Sequence, residues 1–188
     1  MQTRGTIHSQ RKKKVLLMLE AGLSLSLSRS MGKQKRVLSA AAKAWREIEI
    51  DREMLYRHLK EFHNERLVEY RENASGLIEI ILTDQGKRRV LSFKVEGLQL
   101  KPPKRWDGRW RFVAYDIPHH KRNARDALGR KLKELGFYQW QKSVLVYPYP
   151  CRDEIDFIVE FFELRPYVRY AEMLNPTNEA ELKLKFDL

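Results

Sequence analysis

Hydrophobic residues in the first half of the chain recur every three or four positions in three segments. The first segment extends from about residue 11 to 22, and the second from about residue 33 to 46. In the third, Leu55, Leu59 and Phe62 follow Asp51, which is a plausible N-cap residue. This spacing places apolar side chains on one face of a helix, so we predict three amphipathic helices.

The next segment, "LVEYRENASGLIEIILT", contains two alternating apolar runs joined by Asn-Ala-Ser-Gly. Alternation with a short turn sequence predicts a β-hairpin. The stretch "TDQGKRRVLSFKV" then predicts a further helix. Three helices followed by a hairpin is the order of a winged helix-turn-helix domain, in which the third helix enters the DNA major groove and the hairpin wing touches the flanking backbone.

In this arrangement the polar face of the third helix is the candidate DNA-reading surface. Arginine can form two hydrogen bonds to guanine, whereas lysine and a helix N-terminus favour phosphate. The predicted DNA-binding residues are Arg52, Tyr56, Arg57 and Lys60 on the third helix, Lys33, Lys35 and Arg36 at the start of the second, and Arg71 near the wing tip. The alternative is a merely solvated face, because Glu53, Glu61 and Glu65 lie on the same helix.

The second half of the chain has the element order of a ferredoxin-like βαββαβ domain. The stretch "EGLQLKPPKRWDGRW" separates the halves and is typical of a linker, since it carries two prolines and two glycines without periodicity. We therefore expect an α+β protein: a winged helix-turn-helix domain over residues 1–95, a linker over 96–108 and a ferredoxin-like domain over 109–188.

The first helix of that second domain should bury one leucine-rich face and expose a basic one. Ala124, Leu128, Leu132 and Leu135 form the predicted buried stripe. The cations expected to face solvent or phosphate are Arg122, Arg125, Arg130, Lys131 and Lys133.

The distribution of charge favours a polyanionic partner. The net charge is +12, and it comes from two separate basic blocks. Residues 1–50 carry 11 Lys and Arg against 3 Asp and Glu, and residues 101–150 carry 12 against 4. Double-stranded DNA is accordingly the expected partner.

Cysteine content and hydropathy limit the other possibilities. The single cysteine, Cys151, excludes an internal disulfide framework, and no Cys/His cluster has zinc-ligand spacing. The apolar stretch after Arg11–Lys14 is too short to span a membrane. We therefore expect a cytoplasmic protein with no membrane association and no cofactor. The sequence does not identify a small-molecule effector.

Two family resemblances are carried by the second half. "VAYDIPHHKRNARDALGRKLKELGFYQWQKSVLV" resembles the small ferredoxin-fold CRISPR-associated protein of the spacer-acquisition complex. The chain as a whole is more similar to the PaaX family of transcriptional repressors, in which a winged helix precedes a domain of that fold. "RWDGRWR" at 105–111 and "SVLVYPYPC" at 143–151 are similar to characteristic stretches of that family. Members of the PaaX family that sense an acyl-CoA ligand carry an additional C-terminal domain.

The role of Asp116 separates two functional hypotheses. The resemblance to the CRISPR protein implies that Asp116 holds magnesium in an endonuclease, or that the chain is a structural subunit of a spacer-integration complex. The structural interpretation is that Asp116 ends a strand near a helix start, where exposed N–H groups favour a carboxylate. Because metal-assisted cleavage needs several oxygen ligands, the sequence favours a non-catalytic Asp116.

The sequence thus predicts a dimeric, DNA-binding transcriptional regulator of PaaX-like architecture, of the repressor type. Homodimerisation is expected mainly through the second domain. Its tail, "ELKLKFDL", alternates Leu182, Leu184, Phe186 and Leu188 with polar residues, which predicts an edge strand that pairs with the partner's sheet.

Overall fold

A computed structural model of the chain describes residues 10–20, 26–28, 52–72 and 77–188. The chain divides into two compact units, Met1–Lys94 and Val95–Leu188. The second predicted helix, with Lys33, Lys35 and Arg36, lies outside the described residues, as do Asp51 and the hairpin turn. None of the helices in the described part of the chain combines the length and apolar composition that a membrane span requires.

The first unit combines helices with a small antiparallel sheet. Its described elements are α1 (Gln10–Glu20), β1 (Ser26–Ser28), α2 (Arg52–Asn64), β2 (Val68–Glu72), β3 (Leu77–Leu82) and α3 (Asp84–Glu96). The last two residues of α3 lie beyond Lys94 and belong to the second unit. The strands lie in the order β1-β3-β2, and β2 pairs with β3 from Val68 opposite Leu82 to Glu72 opposite Ile78. The predicted first helix, third helix, hairpin and following helix are therefore confirmed.

The core of the first unit lies between α1, α2, α3 and one face of the hairpin. Leu55, Leu59 and Phe62 are buried on α2, which confirms the predicted stripe. Val15, Leu16 and Leu19 are buried on α1. The period of three and four seen in the sequence therefore corresponds to the packed faces of both helices.

The turn between α2 and β2 also positions α3. Arg66 adopts a left-handed conformation (φ 56°), and Leu67 N donates to Phe62 O at 2.8 Å, which closes α2. Thr83, directly before α3, accepts a hydrogen bond from Gly86 N at 3.0 Å and donates one to Arg66 O at 2.6 Å. A Cβ on Gly86 would lie 2.0 Å from Leu67 O, so this close approach requires glycine.

The second unit is a four-stranded antiparallel sheet with helices. Its elements are β4 (Trp110–Tyr115), a 3₁₀ turn (His119–Lys121), α4 (Arg122–Glu134), β5 (Tyr138–Gln141), β6 (Val144–Tyr147), α5 (Arg152–Phe161), a 3₁₀ turn (Arg165–Tyr167), β7 (Val168–Met173) and α6 (Glu179–Phe186). The strand order is β5-β6-β4-β7. The first six regular elements, β4 to β7, follow the predicted βαββαβ order.

The two faces of this sheet have different cores. Val113 on β4 belongs to the core that contains the buried residues of α4 and α5, whereas Trp110 and Phe112 belong to a second core on the opposite face. This alternation follows from the two-residue period of a strand. Leu182 of α6 is buried in the second core, and the Phe186 ring lies 5.8 Å from that of Trp110.

The prediction that the tail is an edge strand is wrong, because residues 179–186 form α6. A spacing of four places Leu182 and Phe186 on one side of a helix, and that side covers Trp110. Glu179 Oε1 accepts a hydrogen bond from buried Trp110 Nε1 at 3.1 Å. Glu179 also pairs with Lys183 at 3.3 Å, and such acidic-first pairs favour helix.

Candidate nucleic-acid interface

The face of α2 opposite its buried stripe carries three of the predicted DNA-binding side chains. Tyr56, Arg57 and Lys60 are exposed, with Tyr56 39% accessible. Arg52 is the first residue of α2, but its side chain lies outside the described part. The structure therefore places Tyr56, Arg57 and Lys60 together on one exposed helix face, next to the start of the helix at Arg52.

Of the three acidic residues expected on this helix, Glu65 lies just beyond its end, and Glu61 is paired with α1. Lys12 Nζ lies 2.5 Å from Glu61 Oε2, and this hydrogen bond lowers the pKa of Glu61. His58 Nδ1 lies 3.6 Å from the same oxygen, and burial is the main cause that lowers the His58 pKa. The negative charge of Glu61 is thus balanced within the unit, which leaves a more positive potential at Arg57 and Lys60.

The end of α2 contacts the hairpin through His63. Its ring lies 4.7 Å from the ring of Tyr70, and its Nδ1 lies 3.3 Å from Val68 O. Burial raises the pKa of Tyr70. These contacts link the exposed face of α2 to β2, the first strand of the hairpin.

Arg71 lies near the end of β2 and is exposed. It is opposite Glu79 of β3 in the antiparallel register, a cross-strand position at which opposite charges stabilise a hairpin. Arg71 and the α2 residues are therefore all on the first unit, but on different elements.

The second unit has a basic surface of its own on α4. Arg125, Arg130 and Lys133 approach Lys142 of the β5–β6 turn around a depression of about 300 Å³. Lys131, which was expected to face solvent, is instead buried. Its Nζ donates to the carbonyl oxygens of Glu96 at 3.1 Å and Leu98 at 3.4 Å. The exposed assignment of Lys131 is wrong because the segment before β4 covers that side of the helix.

Asp116 follows β4 and has an exposed side chain. Its backbone N donates to Tyr167 O at 3.0 Å. Pro118 and Lys121 occupy the N-cap positions of the following 3₁₀ turn and of α4, and neither helix start receives a side-chain cap. The suggested capping role of Asp116 is therefore wrong.

The carboxylates do not form a metal-ligand set in the described part of the chain. Residues 10–20, 26–28, 52–72 and 77–188 contain no group of three or more His, Cys, Asp or Glu arranged to hold an ion. Asp107 and Asp126, the nearest acids before and after Asp116 in the sequence, form ion pairs with arginines. Among the described residues, a metal ion at this position would therefore find a single exposed carboxylate, that of Asp116.

The "RWDGRWR" segment has a structural role. Asp107 accepts hydrogen bonds from both terminal nitrogens of Arg111, one of them at 2.6 Å, and from Arg109 N at 3.1 Å. Gly108 supplies the positive φ of 77° in this turn. Trp106 Nε1 donates to Arg109 O at 3.1 Å. These bonds fix the start of β4, so the residues of this segment stabilise the fold of the second unit.

Comparison with known proteins gives a match that lies within the second unit. Residues 103–183 match the family model described as the PaaX protein central Cas2-like domain. The match confirms, for this part of the chain, the resemblance to the PaaX family seen in the sequence. No curated protein matches the chain.

Proposed function

We propose that this PaaX-like protein is a DNA-binding transcriptional regulator of the repressor type, with a winged helix-turn-helix in its first unit. The observation that carries the proposal is the two-sided α2. One face packs in the core through Leu55, Leu59 and Phe62, and the other presents Tyr56, Arg57 and Lys60. An antiparallel hairpin follows directly, as a wing follows a recognition helix.

In this proposal, Arg52 and Arg57 read base edges, since a guanidinium can bind guanine O6 and N7 together. Lys60 and Tyr56 contact phosphates or a thymine methyl group. The ion pair between Lys12 and Glu61 favours this assignment because it holds α2 on α1 and balances an acid that would repel DNA.

Phosphate contacts from two further segments of the chain complete the proposed interface. Lys33, Lys35 and Arg36 are assigned to the backbone at the start of the second predicted helix, where helix N–H groups also favour phosphate. Arg71 is assigned to the flanking backbone from the wing. Such contacts set the position of the protein on DNA and make binding sensitive to salt.

We further propose a homodimer that binds two half-sites on one duplex. The half-sites of a symmetric dimer are related by two-fold symmetry, and their centres are separated by about 10 base pairs or a multiple of this. The tail no longer supports the proposed contact, since it forms α6 on its own sheet. Among the described residues, β5 and β7 are the edge strands of the second sheet, and we assign the subunit contact to one of these edges.

The experiment is selection of bound duplexes from random DNA by the full chain, without divalent metal, followed by affinity measurements on the selected site. We expect an inverted repeat. The variant R52A/R57A/K60A should lose sequence preference, at a cost of about 1–3 kcal/mol for each base-contacting arginine.

A matched control removes three exposed cations from the segment before β4, in the variant K101A/K104A/R105A. It changes the net charge by the same amount, so the α2 variant should show the greater loss on the selected site. Equal affinity of wild type and the α2 variant would refute the recognition helix. A selected site without two-fold symmetry would refute the dimer.

A further inference from the structure

The second unit has a basic pocket on α4 and the β5–β6 turn, whereas the candidate DNA-reading face lies on α2 of the first unit. Arg125, Arg130 and Lys133 of α4 and Lys142 of the β5–β6 turn line the pocket, together with Asp126 and Tyr115. Cations from two separate elements converge there on an open volume of about 300 Å³. An isolated solvated helix distributes its charges along its own axis. Here a cation of a separate turn, Lys142, lies beside the cations of α4 around one depression.

The single acid in the pocket is already neutralised. Asp126 Oδ1 accepts hydrogen bonds from Arg125 Nε at 3.1 Å and Nη2 at 3.0 Å, and Asp126 Oδ2 lies 3.5 Å from Arg122 Nε. Arg130, Lys133 and Lys142 form no ion pair with the described residues. Three cations of the pocket therefore face it without a counter-charge from the described part of the chain.

Neutral hydrogen-bond donors accompany these cations. The hydroxyl of Tyr115 reaches α4 at Gly129, where a Cβ would lie 3.4 Å from it. That distance is an ordinary van der Waals contact, so the hydroxyl lies directly beside α4 at the pocket. Ser143 and Gln139 complete the lining. Hydroxyl and amide donors beside cations are the groups that bind phosphate oxygens.

The helix that carries the pocket is firmly held. Leu128 and Leu132 on its inner side are buried in the core, and Lys131 is bound to two backbone carbonyls. A ligand therefore meets Arg125, Arg130 and Lys133 on a fixed scaffold, which reduces the entropy lost on binding.

From these observations we propose that the basic pocket binds a phosphoryl group. The group belongs either to DNA backbone or to a small phosphorylated molecule, and the chemistry of recognition is the same. This inference does not depend on the reading face, because every residue of the pocket lies in the second unit.

The test compares the full-length wild type with R130Q/K133Q/K142Q and with a charge-matched control, K101Q/K104Q/R105Q. Pyrophosphate is the first probe, measured by titration calorimetry at low ionic strength. A random-sequence duplex is the second, and its affinity is measured as a function of salt. Thermal melting establishes that all three proteins are folded.

We expect the pocket variant, and not the control, to bind at least one probe with lower affinity than the wild type. A loss of pyrophosphate affinity of about tenfold or more, with unchanged duplex affinity, identifies a small phosphorylated ligand. A decrease of up to about 2.7 in the magnitude of the negative slope of log affinity against log salt identifies DNA backbone, at about 0.9 for each lost phosphate contact.

Two outcomes would overturn the proposal: a pocket variant that matches wild type with both probes, and equal losses in the pocket variant and the control. The second would mean that net charge alone determines binding. The pyrophosphate measurement needs no operator, so failure of the proposed regulator and failure of the pocket are distinguishable.

Discussion

Arg111 is a buried cation whose charge is balanced mainly by Asp107, four residues earlier, and also by Glu172, whose Oε1 lies 3.8 Å from Arg111 Nε. Its side chain is only 3% exposed, and it binds Asp107, Pro148 O and Arg109 O. A buried guanidinium without its carboxylate partner would be strongly destabilising. At the scale of single residues, Asp107 is therefore a stability determinant of the second unit.

This interaction predicts a pH-dependent stability. The hydrogen bonds from Arg111 lower the pKa of Asp107 to about 2, from its usual 3.8. Because the folded pKa is below the unfolded one, the stabilisation is complete above pH 4 and is lost as the pH falls towards 2. Asp107→Asn should lower the free energy of unfolding at pH 7 by about 1–3 kcal/mol, a range reduced for the partial exposure of Asp107.

Chemical denaturation of wild type and Asp107→Asn between pH 7 and pH 2 checks this expectation. The difference between the two proteins should shrink below pH 4 and nearly vanish at pH 2. Asp116→Asn is the control, since its exposed carboxylate forms no side-chain bond with the described residues, and it should change stability by less than about 0.5 kcal/mol. A difference that stays constant down to pH 2 would contradict the proposed role of the ion pair.

Among the elements, α6 shows how one sequence pattern can satisfy two structures. Leu182, Leu184, Phe186 and Leu188 alternate as in a strand, but Leu182 and Phe186 are also one helical turn apart. Leu182 is 1% exposed against Trp110 and Phe112, whereas Leu184 is 85% exposed. The helix is favoured because Trp110 offers both an apolar surface and an N–H donor for Glu179.

These positions give a matched pair of substitutions. Leu182→Ala should lower the free energy of unfolding by about 2–5 kcal/mol, because it leaves a cavity beside Trp110. Leu184→Ala should change it by less than about 0.5 kcal/mol. Denaturant unfolding monitored by tryptophan fluorescence measures both. Similar losses for the two variants would contradict the packing of Leu182, and not Leu184, against the second core.

The elements that the sequence predicted well are those whose pattern depends on local period. The stripe on α2 and the alternating strands β2 and β3 needed only the spacing of apolar residues. Lys131 and α6 could not be predicted in this way, because their environments are set by distant segments. Backbone carbonyls 33 and 35 residues earlier bind Lys131, and Trp110 lies 69 residues before Glu179.

The candidate sites follow the same division. Exposure of Tyr56, Arg57 and Lys60 could be predicted because they lie opposite a buried stripe. The basic pocket could be anticipated only in part, since Arg125, Arg130 and Lys133 were expected on one surface of a helix. The approach of Lys142, 9 residues after Lys133 and beyond β5, depends on the turn between β5 and β6.

At the scale of the whole molecule, each of the two units carries a candidate surface for a phosphate-containing partner. The first presents the α2 face, and the second presents the basic pocket. Both lie in a chain of net charge +12, which accelerates encounters with DNA. Sequence preference should therefore depend on α2, whereas salt dependence reflects both units if the pocket contacts DNA backbone.

Asp116 provides the last test at this scale, because it distinguishes a regulator from a nuclease. Metal-assisted cleavage needs several oxygen ligands around the ion, and Asp107 and Asp126 are paired with arginines. We expect neither wild type nor Asp116→Asn to cleave single- or double-stranded DNA or RNA above background with magnesium, manganese or EDTA. Both should bind the selected duplex equally. Turnover by wild type that requires metal and disappears in Asp116→Asn, in identical preparations, would establish the endonuclease instead, with Asp116 of each subunit as a ligand.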